Sequence, residues 1–356
     1  MPDAGSFTSS HTLHFASSQE MHHLQNDSAA LVVTSPPYPM IEMWDESLAA
    51  DDPRIADALQ QGDGRRAFDL MHAQLDSVWV ECLRVLRPGG IMCINVGDAT
   101  RSVGGSFALY TNHSRITAAC ERLGFSSLPP VLWRKPTNAP NKFMGSGMLP
   151  AGAYVTYEHE YILIFRKGYK RSFTTAEAGI RRRSAFFWEE RNQWFSDIWD
   201  LKGARQLMSG DQARSRSAAF PLELAYRLVH MYSMQTDVVL DPFAGTGTTT
   251  LAAMLGGRSS VGYERLAALG PVIARTLEQA TLLDAQIRET RLSSHASFVA
   301  DRIASGKVLK HHNVHYDMPV MTGQERELVL PVLESVAGVG MDAPDDPLEV
   351  TATHLV

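Results

Sequence analysis

Two stretches of this 356-residue chain combine residue types that could do chemistry: Asp241-Pro242-Phe243-Ala244-Gly245-Thr246-Gly247-Thr248 and, about two hundred residues earlier, Ser35-Pro36-Pro37-Tyr38. The first follows the apolar run Val238-Val239-Leu240 and leads into an Ala/Leu-rich helical pattern. A buried strand that ends in an acid and breaks into a Gly-x-Gly turn before a helix has the shape of the nucleotide crevice of a doubly wound sheet. Gly245 and Gly247 would let the backbone approach a ligand, and the helix opening at Thr248 would point its N-terminus at the ligand's anionic end. Glu264 ends the next apolar segment, about twenty residues after the turn, where a carboxylate can accept hydrogen bonds from ribose hydroxyls. The second stretch follows Leu31-Val32-Val33 and sets a hydroxyl, two prolines and an aromatic ring on one rigid turn. Each motif alone fits an ordinary strand-closing turn; together they mark a site.

Together the two motifs resemble those of the amino-methyltransferases that use S-adenosylmethionine to methylate exocyclic amines of DNA bases. The Asp-Pro-Phe-Ala-Gly-x-Gly turn looks like that family's cofactor motif and Ser-Pro-Pro-Tyr like its catalytic motif, the latter standing first in the chain as in the permuted beta group. The likeness runs from about Thr12 to the helix after Glu264. It implies that Asp241, Phe243, Gly245, Gly247, Thr248 and Glu264 hold S-adenosyl-L-methionine, with Phe220 opening a helix beside the methionine part. It also implies that Ser35, Pro36, Pro37 and Tyr38 are catalytic. The serine side chain and the backbone carbonyl after it would draw on the hydrogens of an amine whose lone pair is delocalised into the ring, and the Tyr38 ring would stack on the flipped-out base. Ser as first residue of the motif resembles the cytosine-N4 enzymes, and adenine-N6 methylation is the alternative. Methylation of the ring carbon of cytosine is set aside, since none of Cys82, Cys93 or Cys120 stands beside a proline. Methylation of RNA or of a protein amine, and a catalytically silent nucleic-acid-binding module, are the competing readings. Where the family often has an acid touching the cofactor's adenine, this chain has Ser17 and Ser18.

Composition sets outer bounds. With 44% hydrophobic and 20% charged residues the chain reads as a soluble globular protein. It has no apolar run of membrane-span length and a polar start unlike a signal peptide, which gives a cytoplasmic expectation. The three cysteines match neither a disulfide framework nor a metal-ligand spacing, and His311, His312 and His315 lack the acids or cysteines of a ligand set, so no metal is expected. The net charge of −6 argues against a nucleic-acid partner at first sight, but between Arg166 and Arg216 twelve Lys or Arg face six acids. Within that stretch Arg181, Arg182 and Arg183 stand next to Phe186, Phe187, Trp188 and Trp194, a mixture suited to phosphates and base edges. In the permuted group target recognition commonly lies here, so double-stranded DNA is the expected partner. A cognate restriction endonuclease, and monomer or homodimer, stay open.

The elements that must position these residues follow from periodicity. Strands are expected at Thr12–Phe15, Leu31–Val33, Ile91–Val96, Val131–Trp133, Tyr161–Phe165, Val238–Leu240 and Ser260–Glu264. Helices are expected from Ser17 to Leu24, over Leu75–Leu86, Ile116–Leu123, after Phe220, over Thr248–Leu255 and from Ala267 to about Leu292. The fold class is α/β: a Rossmann-like, mostly parallel sheet, seven-stranded as the resemblance implies, with circularly permuted motif order and a small recognition element. The expected division is a catalytic half over 11–167, a target-recognition segment over 168–216, a cofactor-binding half over 217–292, and a partly disordered C-terminal extension over 293–356. Residues 1–10 and 341–356 are expected to be disordered, 39–75 to form an acidic insertion over the pocket, and 138–152 to form a long loop. Asp98 and the pair His159 and Glu160 are assigned to turn-capping and sheet-end structure.

Overall fold

In the computed structural model, which describes residues 5–135, 144–145, 149–155, 157–203, 220–340 and 346–356, the apolar runs of the sequence become the inner strands of one ten-stranded sheet. In chain order its strands are β1 (Ser6–His14), β2 (Ala29–Thr34), β3 (Leu86–Val96), β4 (Phe125–Arg134), β5 (His159–Lys167), β6 (Ile198–Asp200), β7 (Val238–Asp241), β8 (Ser259–Tyr263), β9 (Val332–Ala337) and β10 (Leu348–Leu355). In space they run β6-β4-β5-β3-β2-β7-β8-β1-β10-β9. The block β3-β2-β7-β8-β1 is parallel throughout, and β5 runs against both of its neighbours. The expected seven strands are therefore the contiguous set from β4 to β1. Three more extend them, β6 at one edge and the pair β10 and β9 at the other.

Both faces of the sheet are covered, and the strand residues alternate accordingly. Leu31 and Val33 of β2, Ile91 and Cys93 of β3, and Ile162 and Ile164 of β5 share a core with helices α5 (Leu222–Tyr232), α6 (Thr248–Leu255), α7 (Gly270–Glu278) and α8 (Ala280–Ala304). Val32, Met92, Ile94, Leu163 and Phe165 point the other way, onto α1 (Gly64–Val85) and α2 (Asn112–Leu123). The side chain of Asp63 caps α1 by accepting the Arg66 amide at 3.0 Å, and Gly124 at φ 102° closes α2. Two short helices, α3 (Thr175–Arg183) and α4 (Trp188–Trp194), occupy the connection between β5 and β6. The insertion folds into helical segments Asp45–Asp51 and Arg54–Gln60, which pack with the start of α1 and a hairpin (Ala99–Val103 with Ser106–Tyr110) around Met40, Leu48, Ile55, Phe68 and Met71.

Several expectations are corrected. Residues 6–10 are strand, not disordered, and so is Leu348–Leu355, which pairs antiparallel with β1 from Ser6↔Leu355 to Leu13↔Leu348. The alternation that buries Leu348, Val350 and Ala352 in the core that also holds Leu13 of β1 is hidden in the sequence by the polar residues between them. The division at 292/293 falls inside the continuous helix α8, so the extension grows out of the cofactor half. Residues 17–24 form turns instead of a helix, because Glu81 accepts the Met21 amide at 2.7 Å and Arg84 donates to the Leu24 carbonyl at 2.8 Å, fixing this stretch to α1. The expected 138–152 loop lies mostly outside the described residues, as do residues 204–216 of the recognition segment. Among the described residues no helix is long and apolar enough to cross a membrane.

The edge is joined by a buried polar chain. Ser260 Oγ meets His11 Nδ1 at 2.8 Å, and Ser9 Oγ meets His11 Nε2 and His354 Nε2, each at 2.9 Å, linking β8, β1 and β10. Burial pushes the His11 pKa down to about 3, so the ring is neutral at physiological pH. A chain ending at residue 345 loses β10, takes His354 away from the buried Ser9 and bares the edge of β1. It is expected to be destabilised by several kcal/mol and to aggregate through that edge, which a urea titration and light scattering would register; unchanged unfolding would contradict the role given to β10.

Candidate active site

The two motifs end neighbouring strands, and one short hydrogen bond joins them. Thr34, the last residue of β2, donates its Oγ1 hydrogen to Asp241 Oδ1 at 2.6 Å, and the Phe243 amide donates to the same oxygen at 3.0 Å. Thr249 of α6 donates to the Val33 carbonyl at 3.2 Å. Asp241 is 3% exposed. Burial raises its pKa to about 6, against the opposing hydrogen bonds from Thr34 and the Phe243 amide, while the Glu264 carboxylate adds to the rise.

The two glycines of the turn have different tasks. At Gly245 (φ 53°) an added Cβ would have nothing nearer than the Phe243 carbonyl at 4.0 Å, so the backbone there borders open space. At Gly247 (φ 78°) a Cβ would stand 2.9 Å from Ile273 Cγ2 of α7, so this glycine serves helix packing. Glu264, following β8, accepts the Gly245 amide through Oε2 and the Leu266 amide through Oε1, both at 2.9 Å. The acid and the glycine turn are thus one unit. Beside it, Arg265 pairs with Asp51 of the insertion at 2.6 Å, which brings the insertion to the crevice edge. Phe243 lies edge-on to Trp79 at 6.2 Å, Thr248 opens α6, and Phe220 is buried in the core with Leu224.

One strand further, Ser35 donates its hydroxyl hydrogen to Tyr38 Oη at 2.9 Å, and Tyr38 donates to Glu160 Oε2 at 2.9 Å. Asn95 of β3 donates from Nδ2 to both Tyr38 Oη and Glu160 Oε2, each at 2.7 Å. Lys135 forms an ion pair with the other Glu160 oxygen and lies over the Trp133 ring at 4.3 Å. Tyr38 is only 6% exposed and packs on Gly97, where a Cβ would stand 3.3 Å from its ring. The ring expected to stack on the base is largely covered, and its hydroxyl is the centre of a polar network. Burial first, and then the Glu160 carboxylate, raise the Tyr38 pKa well above its ordinary value, so the hydroxyl keeps its proton.

Pro36 is buried and Pro37 half-buried in the turn between Ser35 and Tyr38. Asp98 caps not the turn that follows it but the first turn of α2, beyond the hairpin, accepting the His113 amide at 3.1 Å and meeting His113 Nδ1 at 2.7 Å.

Arg181, Arg182 and Arg183 are not brought to this edge. Their helix α3 docks at the opposite end of the sheet: Ser184 accepts the Gln235 amide at 2.9 Å and Arg171 donates to Asp237 at 2.7 Å, both partners lying just before β7 begins, whereas Asp241 ends it. Arg182 pairs with Glu327 at 3.0 Å and Arg181 lies over Phe173 at 4.5 Å. Composition marked the arginines, but the capping box at Thr174 and the Arg171 anchor decide where they go. The sequence reading passed over Thr34, Asn95 and Lys135 and gave Glu160 a structural role. A single polar residue inside the apolar run Ile91–Val96 was the available signal for Asn95.

A mostly parallel sheet with helices on both faces, a glycine turn closed by an acid, and a polar turn one strand away define a nucleotide-type crevice with an adjoining reaction site. The chain belongs to the DNA methylase family of N6 and N4 amino-methyltransferases, whose profile matches residues 29–269. It is 47% identical over 323 residues, 90% of each chain, to the type II methyltransferase M.MthZI of Methanothermobacter thermautotrophicus. It is 46% identical to M.MjaI of Methanocaldococcus jannaschii over 75% of this chain and 90% of that one. Among solved structures, a putative DNA modification methylase from Thermus thermophilus, complexed with S-adenosyl-L-methionine, superposes with a TM-score of 0.57 at 33% identity, covering 76% of this chain and 95% of that one.

The site gives two expectations. Gly245→Ala should weaken S-adenosylmethionine binding by about tenfold or more while costing about 1 kcal/mol of stability. Gly247→Ala should cost about 1 to 3 kcal/mol through its contact with Ile273; calorimetric titration and urea unfolding of both variants separate the two roles.

Asp241→Asn tests the buried carboxyl. Because the folded pKa of about 6 exceeds the ordinary 3.8, the folded chain binds a proton that the unfolded chain has released between those values. The group's contribution to stability is therefore full below pH 4 and is lost as pH rises through 6. The variant should gain on the wild type between pH 4.5 and 7.5 by about 2 kcal/mol, read by urea unfolding at both pH values.

Proposed function

We propose that this chain methylates the exocyclic N4 amine of a cytosine flipped out of double-stranded DNA, with S-adenosyl-L-methionine as methyl donor. The observation that carries the reading is the Thr34–Asp241 hydrogen bond, which sets a glycine turn open at Gly245 beside a turn presenting Ser35. The residues fit the donor: the open space at Gly245 admits a close ligand, the N-terminus of α6 suits a carboxylate, and Glu264 suits ribose hydroxyls. Bound S-adenosylmethionine supplies a methyl group activated by a positively charged sulfur. The Thermus methylase named above is complexed with this compound, which supports the assignment.

Ser35 does the rest from the protein side. Its Oγ can accept a hydrogen bond from the target amine and so recruit the nitrogen lone pair, and the rigid Pro36-Pro37 turn holds the backbone carbonyl that would assist it. Ser at the head of this motif favours cytosine over adenine. The type II name of the relatives supports a modification enzyme that works beside a cognate endonuclease. The arginine triplet docks at the far end of the sheet from Ser35, which favours recognition by other residues.

Ser35→Ala should lower the single-turnover methylation rate by about 100-fold or more with cofactor affinity nearly unchanged, since its oxygen acts as the lone pair is recruited. Genomic DNA from a host expressing the wild type, sequenced by a method that distinguishes modified bases, should carry N4-methylcytosine in one sequence context. N6-methyladenine in its place would overturn the choice of base, and unmodified DNA would overturn the activity.

A further inference from the structure

Tyr38 Oη has one hydrogen to give and two lone pairs to receive with, and three groups surround it: Ser35 Oγ at 2.9 Å, Glu160 Oε2 at 2.9 Å and Asn95 Nδ2 at 2.7 Å. The Glu160 carboxylate, paired with Lys135 through its other oxygen, can only accept. The Tyr38 hydrogen therefore goes to Glu160. Asn95 Nδ2 can only donate, and the opposite setting of this amide would put its oxygen against the carboxylate. The remaining contact must be carried by the hydrogen of Ser35. Holding the amide this way leaves Asn95 Oδ1 buried without a partner, an arrangement that runs against stability.

We propose that Glu160, acting through Tyr38 and assisted by Asn95 and Lys135, fixes the Ser35 hydroxyl with its hydrogen turned inward, so that the oxygen offers only lone pairs to the base and selects an exocyclic amine over a carbonyl at the same ring position. The inference rests on the methyl-transfer reading and adds the source of its chemical selectivity. Ser35 alone has no such preference, because a free hydroxyl donates or accepts as its neighbour requires. Cytosine and uracil differ at this position by an N–H donor against a C=O acceptor, as adenine and hypoxanthine do. A site committed to accepting meets the amine with a hydrogen bond and the carbonyl with opposed lone pairs. Burial of Tyr38 and Asn95 keeps water from reversing the chain. Glu160, Asn95 and Lys135 are positioning residues; Ser35 is the group that touches the base.

Glu160→Gln reverses the polarity at nearly constant shape. The Lys135 ammonium can only donate, so it holds the Gln oxygen. The Gln amide nitrogen then faces both Tyr38 and Asn95 and donates to both, Asn95 turning its amide to present Oδ1. Without the carboxylate the Tyr38 hydrogen is shared between Asn95 Oδ1 and Ser35 Oγ, and the Ser35 hydrogen is released to point into the pocket. The test uses duplexes built on the methylated site mapped in genomic DNA, carrying either the native target base or its carbonyl counterpart (uracil for cytosine, hypoxanthine for adenine). Because a mismatched base flips more readily, the readout is the change in the affinity ratio between wild type and variant. Glu160→Gln should shift that ratio toward the carbonyl duplex by about tenfold or more and slow single-turnover methylation by about tenfold or more, with S-adenosylmethionine affinity unchanged. Tyr38→Phe, which frees the Ser35 hydroxyl, should shift the ratio in the same direction and stands in if the first variant does not fold. An unchanged ratio overturns the inference, including the case where affinity for both duplexes and rate fall together as a purely structural role would make them. A wild type that methylates no DNA amine overturns the functional reading instead.

Discussion

The hydrogen bond from Thr34 to Asp241 is the constraint on which the site depends. It is 2.6 Å long, buried, and joins residues 207 apart in the chain. Parallel pairing of Leu31 with Val239 and Val32 with Leu240 brings β2 and β7 side by side, but pairing alone leaves the strand ends free to diverge where the ladder stops. The short bond closes that gap, and Thr249 adds a tie from α6 back to β2. A carboxyl this deep is unfavourable as an anion, which is why its pKa rises to about 6. The fold accepts that cost because Asp241 fixes the first amide of the glycine turn at the same time as it holds the neighbouring strand.

From this junction the rest of the edge is set in both directions. Toward β8, Glu264 fastens the turn at Gly245. Toward β3 and β5, Asn95 and Glu160 fasten Tyr38, and Tyr38 fastens Ser35. The antiparallel direction of β5 matters here. It begins where the parallel strands end, so its first residues, His159 and Glu160, arrive at the edge that carries Ser35. A parallel strand in that place would deliver its last residues.

What could be read in the sequence was local. The strand-turn-helix motif at Val238–Leu255 and the strand-turn motif at Leu31–Tyr38 each carry their geometry in consecutive residues, and the alternation in β2, β3 and β5 reports two covered faces. The unread parts depend on pairing across long separations. Glu160 looked like a strand terminus because nothing near it in sequence names Tyr38 as its partner. β10 looked disordered because its inward residues Leu348, Val350 and Ala352 are separated by polar ones and follow an Asp- and Pro-rich stretch. The placement of the arginine triplet was unread for the opposite reason. Charge composition is visible at once, but the docking of α3 through Arg171 and Ser184 is decided by residues in the turn before β7.

The crevice divides its work according to the chemistry of what it must hold. Around Gly245 the groups are backbone amides, an acid and a helix N-terminus, fixed in place by covalent geometry and suited to a charged, flexible ligand that brings its own reactivity. Around Ser35 the groups are side chains in a directed chain of hydrogen bonds, where one wrong proton position changes what the terminal oxygen can recognise. A backbone dipole cannot be reversed by a neighbour, whereas a serine hydroxyl can. Control of that hydroxyl therefore needs further residues behind it, and it needs burial, because water would supply either polarity. On the reading proposed above, the covered ring of Tyr38 and the unsatisfied Asn95 oxygen answer that need.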